Sequence, residues 1–342
     1  MKYVLILGNG FSIDLLGHIR NGDTTPLSNL LCFGDKLPWP QNGKSAFISF
    51  RNTPFLWLLG VRPSNGSEKN NRIIENIITC ANAYYLKPKE KRNFGDGEKR
   101  KAYIAAYKEL IIYLKYLFVY LDENYVFNKK DIEEWPWAKF LQKINNDVDI
   151  EFIDIITFNY DVWIEKVLTC LGINYSINVF EPVGENKFRI TKPHGSISFV
   201  HKTRINFDAF NINYHGELLD GASSDFDVLE NDFRHNTPIV AMIPPAGDSE
   251  RFKLTWAGNM RDAAIDIAKN VDRSDKVLLC GISYWHVDRQ EIDEILINIP
   301  DSTEISYINP EPPETMDAVL TSLFDNYEHF TSVGRYIGEN NA

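Results

Sequence analysis

The chain has 342 residues, 44% of them hydrophobic, which is enough for one large α/β domain with a sizeable insertion and excludes disorder as the default. Lys and Arg number 36 against 47 Asp and Glu, a formal charge of −11, so no direct nucleic-acid contact is expected. The four cysteines form no C-x-x-C pair, no run approaches the roughly 18 uncharged residues of a membrane span, and the apolar N-terminal run ends too soon for a signal peptide; a cytoplasmic protein with neither zinc ribbon nor membrane association is expected.

Tyr3 to Leu7 is a short apolar run of β-formers that meets Gly8-Asn9-Gly10 at once. That pattern predicts a buried parallel strand running into a phosphate-type turn. Residues 20 to 70 are rich in Gly, Pro, Asn and Ser and are expected to form long irregular loops. From Asn71 to Ile144 the pattern is helical. Its clearest segment is Lys101 to Leu121, where Tyr103, Tyr107, Leu110, Leu114, Leu117 and Leu121 form one apolar stripe widened by Ile104, Ile111 and Phe118. The stripe fits a buried core helix or a surface for self-association. Lys87 to Lys101 carries seven basic residues against three acidic ones and reads as a solvated loop or a local patch.

Ile150 to Thr157 is again strand-like, and a helix is expected from Val162 to Leu171. An acidic loop runs from Asn206 to Asp232. Pro238 to Ile243 reads as a strand, Leu254 to Val271 as a helix, Lys276 to Cys280 as a strand, Arg289 to Ile297 as a helix and Glu304 to Ile308 as a strand. Strands alternating with helices predict a Rossmann-like α/β fold: a parallel sheet with helices on both faces and a mainly helical insertion. The expected organisation is a single domain, with its core at 1–20 and 150–335 and the loop and helical insertion at 21–149.

Four strands end in a polar motif: Gly8-Asn9-Gly10-Phe11-Ser12, Thr157-Phe158-Asn159-Tyr160-Asp161, Gly281-Ile282-Ser283 and Ile308-Asn309-Pro310. Ligands of open parallel sheets bind beyond the carboxyl ends of the strands, so these motifs are expected to converge on one crevice. Gly8 and Gly10 let backbone amides approach a phosphate, although a tight turn with no ligand has the same signature. They depart from G-x-G-x-x-G, because Ile13 holds the third position. The Asn159 amide can hold a water or a ribose hydroxyl, or simply form a turn. Asp161 equally fits a cap for the following helix. His194, flanked by Pro193 and Gly195, is open to a ligand on one side and has a pKa suited to proton transfer at neutral pH.

The ordered set G-x-G-x-S, T-x-N-x-D, H-G, G-x-S and N-P resembles the sirtuin superfamily over residues 1 to 20 and about 150 to 310. Thr157, Asn159 and Asp161 match its T-Q-N-I-D motif, and His194-Gly195 matches its H-G. The zinc module of classical sirtuins is missing, since no cysteine lies from Ile197 to Leu279; the G-I-P-D-F-R loop is also missing. Phe158-Asn159-Tyr160-Asp161, His194-Gly195-Ser196 and Ile243-Pro244-Pro245 leading to Trp256 are more similar to the bacterial sirtuin-like NADases of antiphage defence.

The resemblance implies hydrolysis of NAD+ with no metal. Asn159 would position the water or ribose, His194 would act as base, and Asp161 would contact the nicotinamide amide. Gly8, Gly10 and Ser12 would hold the pyrophosphate, and Ser283 and Asn309 the adenosine. Phe11, Asp14, Thr157 and Gly281 complete the implied NAD-binding set. An enzyme that drains NAD+ freely would be lethal to its own cell, so a regulated homo-oligomer is expected, and the resemblance implies a companion ATPase or Argonaute-like protein as the sensor. A non-catalytic NAD- or ADP-ribose-sensing subunit and an NAD-dependent deacylase are the alternatives.

Overall fold

The computed structural model describes residues 1–19, 24–41, 43, 45–85, 87, 102–180, 186–214, 220–244, 255–284 and 289–339. The basic stretch beyond Lys87, residues 215–219 of the acidic loop, Pro245 and Leu254 lie outside them.

In chain order the elements are β1 (Lys2–Leu7), α1 (Asn9–Ile19), α2 (Thr25–Ser28), α3 (Pro54–Leu58), α4 (Ser67–Tyr85), α5 (Ala102–Asn124), α6 (Lys129–Glu134) and α7 (Pro136–Asn146). There follow β2 (Phe152–Thr157), α8 (Trp163–Cys170), β3 (Tyr175–Ile177), β4 (Phe188–Thr191), β5 (Gly195–His201), β6 (Phe226–Val228) and β7 (Val240–Met242). The chain continues through α9 (Trp256–Lys269), β8 (Lys276–Cys280), α10 (Arg289–Leu296), β9 (Glu304–Ile308), α11 (Glu314–Leu323), β10 (Asn326–Phe330) and α12 (Val333–Tyr336). They fall into two compact units. The first comprises Met1–Thr24, Val126–Pro193 and Gly258–Ala342, and the second Thr25–Tyr125 and His194–Ala257.

The first unit is α/β. Its sheet has seven strands in the order β10-β9-β8-β1-β2-β4-β3, and every pairing is parallel. β1 is central because its apolar run tolerates burial on both faces. Val4 and Ile6 join Ile156, Val277, Leu279, Ile305 and Tyr307 in a core closed by Ala264 and Ala268 of α9, Ile292 and Ile295 of α10, and Met316 and Leu320 of α11. On the other side, Tyr3 packs against Phe140 of α7 with ring centroids 6.0 Å apart. One charged pair lies across strands β2 and β4. Arg189 donates to both oxygens of buried Asp154, at 2.7 and 2.6 Å, satisfying a carboxylate that burial would otherwise penalise.

The second unit holds α2 to α5 and an antiparallel sheet of three strands, β6-β5-β7. The strand expected at Pro238–Ile243 is therefore not part of the parallel sheet: Val240–Met242 pairs antiparallel with β5. Helix α5 is its hydrophobic centre. Tyr107, Leu110, Leu114, Leu117 and Leu121 are all buried, so the stripe is core rather than a surface for self-association. Lys108, Glu109 and Lys115 of the same helix are buried too. Of residues 20 to 70, expected as irregular loops, the described part contains the short helices α2 and α3 and the start of α4. Among the described residues no helix is long and apolar enough to cross a membrane.

Candidate active site

The carboxyl ends of β9, β8, β1 and β2 lie side by side, and each carries one of the polar motifs. From β1 the chain passes to β2, then to the edge strand β3 and back to β4 between them; it later returns to the other side of β1 and builds β8, β9 and β10 outward. The order reverses between β1 and β8, which is the switch point where ligands of such sheets bind. The turns after these two strands meet there. The Gly8 amide donates to the Cys280 carbonyl at 2.8 Å, and the Gly10 amide to the Gly281 carbonyl at 3.1 Å. Gly281 has φ +60°, and a Cβ on Gly8 would stand 2.5 Å from its oxygen. Only glycines allow backbones this close. The close approach that the sequence suggests for a phosphate is thus used, at these two amides, between turns of the chain.

Behind that contact lies a buried polar network. The Asn159 amide donates to the Gly8 carbonyl at 2.9 Å and to the Ser12 hydroxyl at 3.0 Å. Ser12 donates in turn to Asp161 at 2.7 Å. The other oxygen of Asp161 accepts from the Trp163 amide at 3.0 Å, so Asp161 caps the start of α8 as well as facing Ser12. The Thr157 hydroxyl accepts from the Asn159 amide of the backbone at 3.2 Å. Burial pushes the Asp161 carboxyl up, opposed by Lys192, the Trp163 amide and Ser12. The side-chain oxygen of Asn159, only 8% exposed, has no hydrogen-bond donor among the described residues.

Sequence reading missed the cation beneath this network. Lys192 is 0% exposed. Its ammonium donates to the Asp161 carbonyl at 2.5 Å and to Glu165 at 2.7 Å. A lone lysine beside a proline gives no sign of burial; its place before His194 is the only hint in the sequence.

On the other flank, Asn309 donates to the Tyr307 hydroxyl at 2.8 Å, and Tyr307 donates to the Ile282 carbonyl at 2.8 Å. The Asn309 oxygen accepts from the Glu311 amide at 3.1 Å. Its side chain therefore builds the turn after β9. Burial pushes the Tyr307 hydroxyl up to about 12, keeping it a donor at neutral pH. Ser283 and Asn9 are exposed.

Phe11 is not exposed at this end of the sheet. It is 1% exposed and meets Trp135 and Trp137 with ring centroids 5.2 and 5.1 Å away. Asp14 accepts from the Trp135 indole at 2.6 Å. His194 belongs to the second unit, where it is buried and its carbonyl accepts from the Ile243 amide at 2.9 Å. The next residue, Gly195, has φ +85°, and a Cβ there would lie 2.0 Å from the Ala241 carbonyl.

Comparison with protein-family models finds no match, and comparison with curated proteins finds none either. The chemistry must be argued from the residues. At this end of the sheet stand the N-terminus of α1, 11 residues long, whose Gly10 and Phe11 amides already donate within the chain, and the exposed Asn9 and Ser283. Among the described residues no three His, Cys, Asp or Glu side chains converge as metal ligands.

Proposed function

We propose that this protein binds NAD+ and hydrolyses its nicotinamide–ribose bond, giving ADP-ribose and nicotinamide. The observation that carries the reading is the meeting of the β1 and β8 turns at the switch point of the parallel sheet, where dinucleotides bind in this architecture. The residues present fit such a substrate. The positive end of the α1 dipole favours the pyrophosphate, although the Gly10 and Phe11 amides are already used within the chain, and the exposed Ser283 offers a hydrogen bond to it or to ribose.

Cleavage develops positive charge on the ribose, and the protein must orient a water or hydroxyl toward it. Asn159 serves this role through its oxygen, because Gly8 and Ser12 fix its amide nitrogen. His194 takes the part of base through its position in the ordered motifs. Asp161 accepts from Ser12 and from the Trp163 amide, so it positions Ser12, and a carboxylate's remaining lone pairs leave room for the nicotinamide amide. An enzyme that drains NAD+ needs restraint. We extend the reading to a regulated oligomer acting in antiphage defence, with a companion ATPase or Argonaute-like protein as its sensor.

One observation favours a second reading. Ser12, Asp161 and the Asn159 nitrogen satisfy one another inside the protein, as they would in a subunit that binds NAD+ or ADP-ribose without cleaving it. Incubation with NAD+, followed by chromatography of the products beside equilibrium binding, separates the two. Released nicotinamide supports the hydrolase, binding without release supports the sensor, and neither result would defeat both.

A further inference from the structure

A cavity lies entirely within the second unit, between α5 and the segments 205–213 and 236–242. Its volume is about 250 Å³. Ile112, Phe210, Ile239 and Met242 give it apolar walls. Lys108 and Asp220 line it with opposite charges, which leaves Lys115 as the excess cation.

Lys115 is 5% exposed. Its ammonium donates to the His235 carbonyl at 2.5 Å and to the Thr237 hydroxyl at 3.3 Å. Both acceptors are neutral, and among the described residues no carboxylate pairs with it. A lysine carries three donors, so one remains. Tyr116 borders the same cavity, with its ring centroid 5.7 Å from the Lys115 nitrogen. Its hydroxyl is buried without a hydrogen-bond partner among the described residues. A buried cation without counter-charge is costly, and burial holds the Lys115 ammonium down at about 7. A ligand that brought one negative charge and an apolar body would remove that cost and fill the walls.

We propose that this cavity is a binding site for a small carboxylate with an apolar body, its head group on Lys115 and its body against Ile112, Phe210 and Ile239. The site is independent of the NAD+ reading.

The test uses the full chain and calorimetric titration with hexanoate, with hexanol and hexylamine as neutral and cationic controls. Hexanoate should bind, and both controls should bind at least tenfold more weakly. Lys115→Met should weaken hexanoate binding roughly ten- to hundredfold, the loss of one charge-assisted hydrogen bond. Lys115→Gln, which keeps a donor for His235 and Thr237, provides the same comparison if the methionine variant does not fold. Ile112→Trp, which fills the cavity from its wall, should also abolish binding. Equal binding of hexanol, no binding of hexanoate, or hexanoate binding unchanged in the folded Lys115 variants would each overturn the proposal.

Discussion

Gly10 and Gly281 touch backbone to backbone: a Cβ on Gly10 would lie 2.4 Å from the Gly281 Cα, and a Cβ on Gly281 would lie 2.2 Å from the Gly10 Cα. The turns after two neighbouring strands are thereby locked at the point where the sheet order reverses. Gly281→Ala must both strain a left-handed residue and push these turns apart, so it should cost at least about 3 kcal/mol. Gly338 is the control, since it has φ +85° but nothing within 4 Å of its would-be Cβ. Gly338→Ala should cost only about 1 kcal/mol. Denaturant unfolding compares the two, and equal losses would show that the contact is not tight.

Lys192 and Glu165 form a buried ion pair at 2.7 Å, with side-chain exposures of 0% and 8%. Removing one partner leaves a charge buried without its counter-charge. Lys192→Met should therefore destabilise the protein by about 3 to 5 kcal/mol. The double variant Lys192→Met/Glu165→Leu should recover much of that loss, because replacing both partners removes the stranded charge. Unfolding midpoints measure both. A double variant as unstable as the single one would mean that the pair acts through shape alone.

Glu109 predicts a pH dependence. Its carboxylate accepts from the Phe55 and Leu56 amides at the start of α3, at 3.1 and 2.7 Å, and from the Tyr214 hydroxyl at 2.8 Å. Burial nonetheless raises its carboxyl from 4.5 to about 7. Between those values the folded protein keeps a proton that the unfolded chain releases. Stability must then fall as pH rises through that window and level off above it. In Glu109→Gln this loss is absent. The stability difference should move toward the variant between pH 5 and 8, by up to about 3 kcal/mol. Unfolding both proteins at the two pH values checks this, and a constant difference would contradict it.

The sequence announces the strands that carry the polar motifs. β1, β2, β8 and β9 are apolar runs that stop at Gly, Asn or Thr, and their lengths match the structure closely. It does not announce β3, which has three residues, or β10, a half-exposed edge strand reading Asn-Tyr-Glu-His-Phe. Neither has enough apolar alternation to stand out. β7 is visible as a run, but its antiparallel partner is β5, a strand that follows directly on His194 and that local pattern does not mark as its neighbour.

The same division holds at the site. Ser12, Asn159 and Asp161 are recognisable as polar residues at strand ends. That Ser12 bonds Asp161 across 149 positions is a property of the sheet register, which local pattern does not encode. Lys108, Glu109 and Lys115 break an apolar stripe and look like its solvated edge. Their burial depends on how the second unit packs around α5, which periodicity alone does not specify.

The most direct measurement of the central claim is nicotinamide release from NAD+ by the wild type, Asn159→Ala and His194→Ala, with denaturant unfolding to show that each is folded. The wild type should release nicotinamide. Each variant should lose a factor of about 10² to 10³ or more, the usual cost of one positioned polar group. Turnover close to wild type in both folded variants would contradict the account.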